Sequence, residues 1–345
     1  MKSFYRRLFQ DIIGLVFFVS SILKLMDSTG TGLIVDAYLS NWHLDFLRPA
    51  SKVLGECISA AEAVVSIALL TGAFRVFFAW LSTAMILFFT GVGIWLVAAN
   101  PDMSCGCFGE AIPLTHTQTL MKNIFLALCC IPAFVPYRNL GKSPRHRMVA
   151  FWTGLAIMLC FSIYSYSGIP LVDYTEFAPS HTIVSEGTVY ESEWEYPTLT
   201  VWDEYGEDCS EQILDGDVVI LSYYEPEKVD VTEKGRAAAF AQDALNTGFT
   251  PVVLSAGGIG IPGVETYSAD LRKLLTLNRS NGGATFLHDG YIIGKTSARE
   301  YLSQENMEKH LTGQEAVETY IKAATIRSLV LQGFIIVFLA VLILV

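Results

Sequence analysis

Two thiols one residue apart, in Cys105-Gly106-Cys107-Phe108-Gly109, follow directly on a long apolar segment. That spacing suits reversible dithiol–disulfide chemistry better than ordinary cross-linking. A disulfide across one residue is strained, and strained, exposed disulfides are the oxidising, labile ones. Two other readings stay open from the residues alone. The pair could be half of a metal site, but zinc wants four ligands, usually with wider Cys spacing, and Cys57 and His116 are the obvious additions. It could also pin a loop without chemistry. Cys57, at the start of the second apolar segment, is a candidate additional thiol. Cys129, Cys130 and Cys160 fall within apolar segments and read as small hydrophobes.

The elements that would position the pair are membrane spans. Of 345 residues, 52% are hydrophobic and 17% charged, a balance that points to an integral membrane protein with some polar mass. A spanning helix takes about 20 mostly apolar residues. Six stretches approach this: 9–26, 57–70 with its flanks, 76–98, 120–135, 149–166 and 328–345. The first has a basic start but no A-x-A-like cleavage site, and Lys24 interrupts its end, so it reads as a retained span. The last is about 27 Å long as a helix, barely enough to cross.

Charge gives the orientation. Lys2, Arg6 and Arg7 precede the first span, Arg75 separates the second from the third, and Arg138, Lys142, Arg145 and Arg147 crowd the loop after the fourth. In a six-span topology these all lie on one side, which the positive-inside rule makes cytoplasmic. Residues 100–118 hold no Lys or Arg and lie opposite. The expected location is a bacterial inner membrane, with both termini cytoplasmic and the Cys pair facing an oxidising periplasm. Residues 167–325 hold 26 acidic and 10 basic side chains, whereas the remainder holds 8 and 13. An acidic soluble domain is therefore hung on a mildly basic membrane part, and nothing suggests nucleic-acid binding.

Ionisable residues inside spans are costly and face a partner or a cavity. Lys24 near the outer end of span one, Glu62 inside span two, and Lys122 and Asn123 at the start of span four share a depth beneath the Cys pair. Lys24 could reach Glu62. An electropositive site there would favour thiolate and disulfide exchange; in the alternative reading the lysines only snorkel and Glu62 is structural.

At these residues the sequence resembles the MauE branch of the DoxX-like membrane proteins, the methylamine-utilisation protein MauE among them. The resemblance covers roughly the first 135 residues. It rests on Ile13-Gly14-Leu15-Val16-Phe17 followed by Ser20, Lys24 and Asp27, on Glu62 and Gly72, and above all on the Cys105–Gly109 pentapeptide with Leu114 and Lys122-Asn123. It implies a four-helix membrane bundle akin to the vitamin K epoxide reductase core, a role in forming or maintaining disulfides of exported proteins, and electrons leaving through a membrane quinone. The further spans and the outer domain depart from a minimal MauE.

The expected organisation is a four-helix membrane domain over 1–140, a fifth span and exit over 141–170, a linker over 171–195, an α/β domain over 196–325 and a last span over 326–345. In the α/β domain, strands are expected at 198–202, 217–223 and 251–254, helices at 233–246 (capped by Thr232) and 270–277, and a hairpin of 284–288 with 291–295 turning at Asp289-Gly290. That order resembles a thioredoxin-like domain, but without its chemistry. Tyr223-Tyr224-Glu225-Pro226-Glu227-Lys228 replaces the Cys-x-x-Cys stretch, and Asn281-Gly282-Gly283 stands where a cis-proline would be. Cys209 lies in a turn after the first strand. Ala256-Gly257-Gly258-Ile259-Gly260 lacks the helix a nucleotide loop requires.

Two functions follow as expectations. One is a thiol–disulfide oxidoreductase working on an exported client through Cys105 and Cys107, with Lys24, Glu62, Lys122 and Asn123 tuning thiolate and protons and a membrane quinone as the implied cofactor. The other is a non-enzymatic membrane scaffold whose acidic outer domain binds a partner with a basic face.

Overall fold

The computed structural model describes residues 2–101, 103–135, 140, 143–167, 173–179, 181–185 and 196–298, with residues 332, 333, 335 and 338 near the end of the chain. Two units divide it, 1–167 with 331–345, and 168–330. The sixth expected span and the residues just before it fall almost wholly outside the described residues.

In the first unit, five helices among the described residues are long and apolar enough to cross a membrane. These are α1 (Lys2–Met26), α3 (Ser51–Thr71), α4 (Arg75–Ala99), α5 (His116–Phe134) and α6 (Arg145–Ser167). Local chemistry sets the helix ends. Gly72 takes the left-handed conformation (φ 69°) that closes α3, and its N–H bonds Ala68 O. Thr115 and Gln118 form a reciprocal capping box that starts α5. Phe18, Ile13, Leu25, Ile67 and Leu70 are fully buried where α1 meets α3.

The segment expected as a loop between the first two spans contains a further helix, α2 (Ser28–Asn41), followed by a 3-10 turn, Asp45–Ala50. Asp27 caps α2 by accepting from Gly30 N. Small residues bring α2 against α3. A Cβ on Gly32 would lie 2.8 Å from Lys52 Cα, and one on Gly55 would lie 3.1 Å from Thr31 Cγ2. This is the close backbone approach that glycine allows between membrane helices.

The second unit is a six-stranded mixed sheet. Its strands are β2 (Val201–Trp202), β3 (Asp217–Tyr223), β4 (Thr250–Ser255), β5 (Glu265–Ala269), β6 (Gly283–His288) and β7 (Tyr291–Thr296); β1 (Cys107–Glu110) belongs to the membrane unit. The order is β2-β5-β4-β3-β6-β7. β4 runs parallel to β3 and to β5, while β6, β7 and β2 each pair antiparallel. Alternation along β3 serves two cores. Val219, Leu221 and Tyr223 meet Phe240 of α8 (Val231–Asn246), and Val218 and Ile220 meet Leu274 and Leu277 of α9 (Leu271–Leu277).

Several expectations are corrected in detail. The first strand is only Val201–Trp202; Thr198 makes an isolated bridge to Val184. Asp230, not Thr232, caps α8 by accepting from Glu233 N. β5 was not foreseen, because Glu265, Thr266 and Tyr267 carry no apolar alternation and owe their strand to β4. Residues 173–179 and 181–185, expected as linker, belong to the domain. Phe177 and Ile183 are buried in its core, and Asp173, its side chain 12% exposed, pairs with Lys295 Nζ at 2.6 Å.

Burial by itself would raise the Asp173 pKa, but the Lys295 charge and hydrogen bonds from Lys295 and Thr175 outweigh it and hold the carboxyl below its usual value. A depressed folded-state pKa stabilises above the unfolded value of about 3.9 and is lost as pH falls through the lower, folded one. Lys295→Met, which leaves Asp173 buried and unpaired, is expected to destabilise this unit by about 3–5 kcal/mol, measured by urea unfolding of the full chain. Asp173→Asn should flatten the acid limb of the wild-type stability profile.

Candidate functional site

The Cys loop folds back onto α1. Gly106 and Gly109 both have positive φ (65° and 62°), and a Cβ at Gly106 would collide with Ile34 of α2. Glycine is therefore required between the two thiols on both conformational and steric grounds. Tyr38 Oη donates to Cys105 O at 2.9 Å, and His116 lies 3.0 Å from Met103 O through Nε2 and 3.3 Å from Asn100 Oδ1 through Nδ1. The loop is thus tied to α2 on one side and α5 on the other.

Beneath it a buried ion pair joins α1 to α3. Lys24 Nζ lies 2.6 Å from Glu62 Oε1, with both side chains under a tenth exposed. Ser20 Oγ is 2.7 Å from Glu62 Oε2 and 2.6 Å from Cys107 O. A hydroxyl has one proton to give, so Ser20 serves either the carboxylate or the loop at any moment. Lys24, Ser20 and Glu62 thus connect the charged pair to the Cys loop in a single hydrogen-bonded path.

All of this borders a cavity of about 240 Å3. Cys105 and Cys107 lie on its wall with Lys24, Glu62, Lys122 and Asn123, and much of the rest is apolar, from Phe17, Ile86 and Phe89 to Trp42. Lys122 Nζ sits 4.9 Å from the centre of the Phe108 ring. Asn123 does not address the thiols as expected: its amide donates to Phe89 O at 2.8 Å and fixes α5 to α4. Cys57 is exposed and outside the cavity, since its side chain leaves α3 on another face. Among the described residues, no group of three His, Cys, Asp or Glu side chains comes together as a metal site would require.

The two sulfurs interact directly and unequally. A hydrogen bond from the Cys107 thiol pushes Cys105 down to about 5; the Cys107 amide and the Lys122 charge add to that effect against burial. Cys107 is raised, first by the same hydrogen bond that it donates and then by burial. Of the two, Cys105 is the thiol whose surroundings favour the thiolate.

The sequence reading missed Tyr38 and Thr119 as site residues and gave Ser20 no role. Helical spacing could have found two of them: Ser20 is four residues before Lys24, and Thr119 four before Asn123. Tyr38 had no such signal, because its helix was unforeseen.

The family model described as methylamine utilisation protein MauE matches residues 3–135. Residues 3–135 of the membrane unit are MauE-like. The match runs from α1 through α5 and includes the whole Cys loop, the Lys24–Glu62 pair and the cavity; α6 and the second unit of the chain lie beyond it. Comparison with curated proteins and with solved structures gives no match.

In the reduced protein, Cys105 should be alkylated by iodoacetamide with a pH midpoint near 5, while Cys107 reacts only at far higher pH. Lys122→Gln removes a favourable charge and should move the Cys105 midpoint upward. Mass-spectrometric quantification of each cysteine across a pH series reads both.

Proposed function

We propose that the MauE-like unit is a thiol–disulfide oxidoreductase of the bacterial inner membrane, supplying disulfides to exported proteins. The observation that carries this reading is the placement of the pair: Cys105 and Cys107, one residue apart, lie together on the wall of a largely apolar cavity that Lys122 also lines. The Cys105–Cys107 disulfide would accept attack by a client thiolate. The mixed disulfide would then resolve to an oxidised client and a reduced pair, with two electrons and two protons transferred to Cys105 and Cys107.

Reoxidation requires an acceptor for those electrons and protons. The cavity fits the ring of a lipid-soluble quinone, which would take up both as it becomes quinol. At about 240 Å3 it is smaller than the roughly 300–1,000 Å3 that encloses a drug-sized ligand, so a ring suits it better than a folded chain. Lys122 and Asn123 would line the ring's site. Lys24, Glu62 and Ser20 would hold the loop in place and carry the released proton away from Cys107.

The basic loops favour a topology in which both termini would be cytoplasmic and the second unit periplasmic. That unit supports a thioredoxin-like reading through its parallel β3–β4 pair followed by the antiparallel β6–β7 hairpin, with β5 as an insertion. It would serve as a docking domain without thiol chemistry of its own. Where a thioredoxin has its reactive loop, Asn281 instead bonds both the N–H and the C=O of Glu225, at 3.0 and 3.1 Å. The family description, methylamine utilisation, points to an exported protein of that pathway as one candidate client.

Cys105→Ser and Cys107→Ser, each alone, are expected to leave membrane insertion intact and to raise the fraction of exported proteins with free thiols, as read by alkylation and gel shift in cells that depend on this chain. Normal client oxidation in the double Ser variant would assign the protein to the scaffold reading instead.

A further inference from the structure

The opposite end of the MauE-like unit gathers three arginines from three helices. The point that a Cβ on Gly72 would occupy lies 2.7 Å from Arg147 Nη1, 3.2 Å from Arg7 Nη1 and 3.5 Å from Arg75 Nε. Capping explains two of them. Arg7 donates to Leu69 O at 3.4 Å and to Leu70 O, and pairs with Asp11 at 3.0 Å. Arg75 donates to Gly72 O at 3.3 Å and Leu140 O at 3.0 Å. These are the open carbonyls at the end of α3 and the chain beyond α5, where cations are favoured.

Arg147 is different. Its buried Nε has no hydrogen-bond partner among the described residues, and neither has Asp11 Oδ1. Asp11 offsets one of the three charges, and residues 136–148 contain no Asp or Glu. The guanidiniums repel one another, leaving a half-buried excess of two positive charges with a planar donor group unused. A phosphate group meets that geometry, since guanidinium forks bind its oxygens in pairs.

The surroundings specify where such a phosphate would come from. Phe74 and Trp152 are 42% and 57% exposed, and they are linked through Phe151, with ring centres 5.6 and 5.3 Å apart. Exposed aromatic rings beside a basic pocket at a helix end match a lipid headgroup whose acyl chains run along the protein.

We propose that Arg147 and Arg75, around Gly72, form a site for the phosphate group of an anionic phospholipid. The site is separate from the Cys cavity and does not depend on the redox reading.

Native mass spectrometry of the full-length protein, with phosphatidylglycerol, phosphatidylcholine and inorganic phosphate supplied in turn, tests this. Phosphatidylglycerol should be retained in preference to phosphatidylcholine, and Arg147→Gln should weaken its retention about tenfold. Arg145→Gln, which alters an exposed neighbour, should not weaken it. If Arg147→Gln fails to insert, Arg147→Lys, which keeps the charge and loses the fork, should still reduce retention. Inorganic phosphate that displaces the lipid, or binds where the lipid does not, would support the same site with a soluble source. Equal retention of both lipids with no effect of phosphate, or lipid retention unchanged in the Arg147 variants, would overturn the proposal.

Discussion

The Lys24–Glu62 ion pair is the interaction on which the candidate site depends. Two charges buried in a membrane bundle are tolerable only when paired and hydrogen-bonded, and here the third partner is Ser20, which also reaches the carbonyl of Cys107. Helix packing of α1 on α3 therefore sets the height of the Cys loop. Neutralising either charge would strand the other and release the loop's inner anchor. The outer anchors, Tyr38 and His116, hold backbone carbonyls, so the loop is fixed by its main chain while both sulfurs face the cavity.

Fixing the loop in this way divides two thiols of identical type. Gly106 bends the chain so that the Cys107 thiol is presented to the Cys105 sulfur. Lys122 then favours the charge on Cys105, and burial disfavours ionisation of Cys107. A pair poised in this manner has a nucleophile and a protonated partner ready in a single place, which thiol exchange requires. The apolar remainder of the cavity gives a lipid-soluble reactant a place beside it.

Much of this was legible in the sequence because charges inside apolar segments are conspicuous. Lys24, Glu62 and Lys122 stood out for their cost, and the thiol pair for its spacing. What escaped was decided by tertiary contact. Residues 28–41, between the first two apolar stretches, are helical, and Gly32 and Gly55 admit the backbone of α2 against α3. Asn123 lies at the depth expected for a thiol partner, but its amide is taken by Phe89 O on the neighbouring helix. In the second unit, short apolar runs announced β3 and β4 and the Asp289-Gly290 turn announced the hairpin; β5 has no such run, and Phe177 and Ile183 looked like linker because so little apolar sequence surrounds them.

The central claim is that Cys105 and Cys107 act as one redox couple. Its most direct test is the thiol state of both residues in sealed membranes, read by maleimide gel shift as a reduced sample is returned to a mild oxidant and a quinone. The account predicts that the two thiols disappear together as an intramolecular disulfide and return together on mild reduction. A pair that stays in one state throughout, or thiols that change independently, would contradict it.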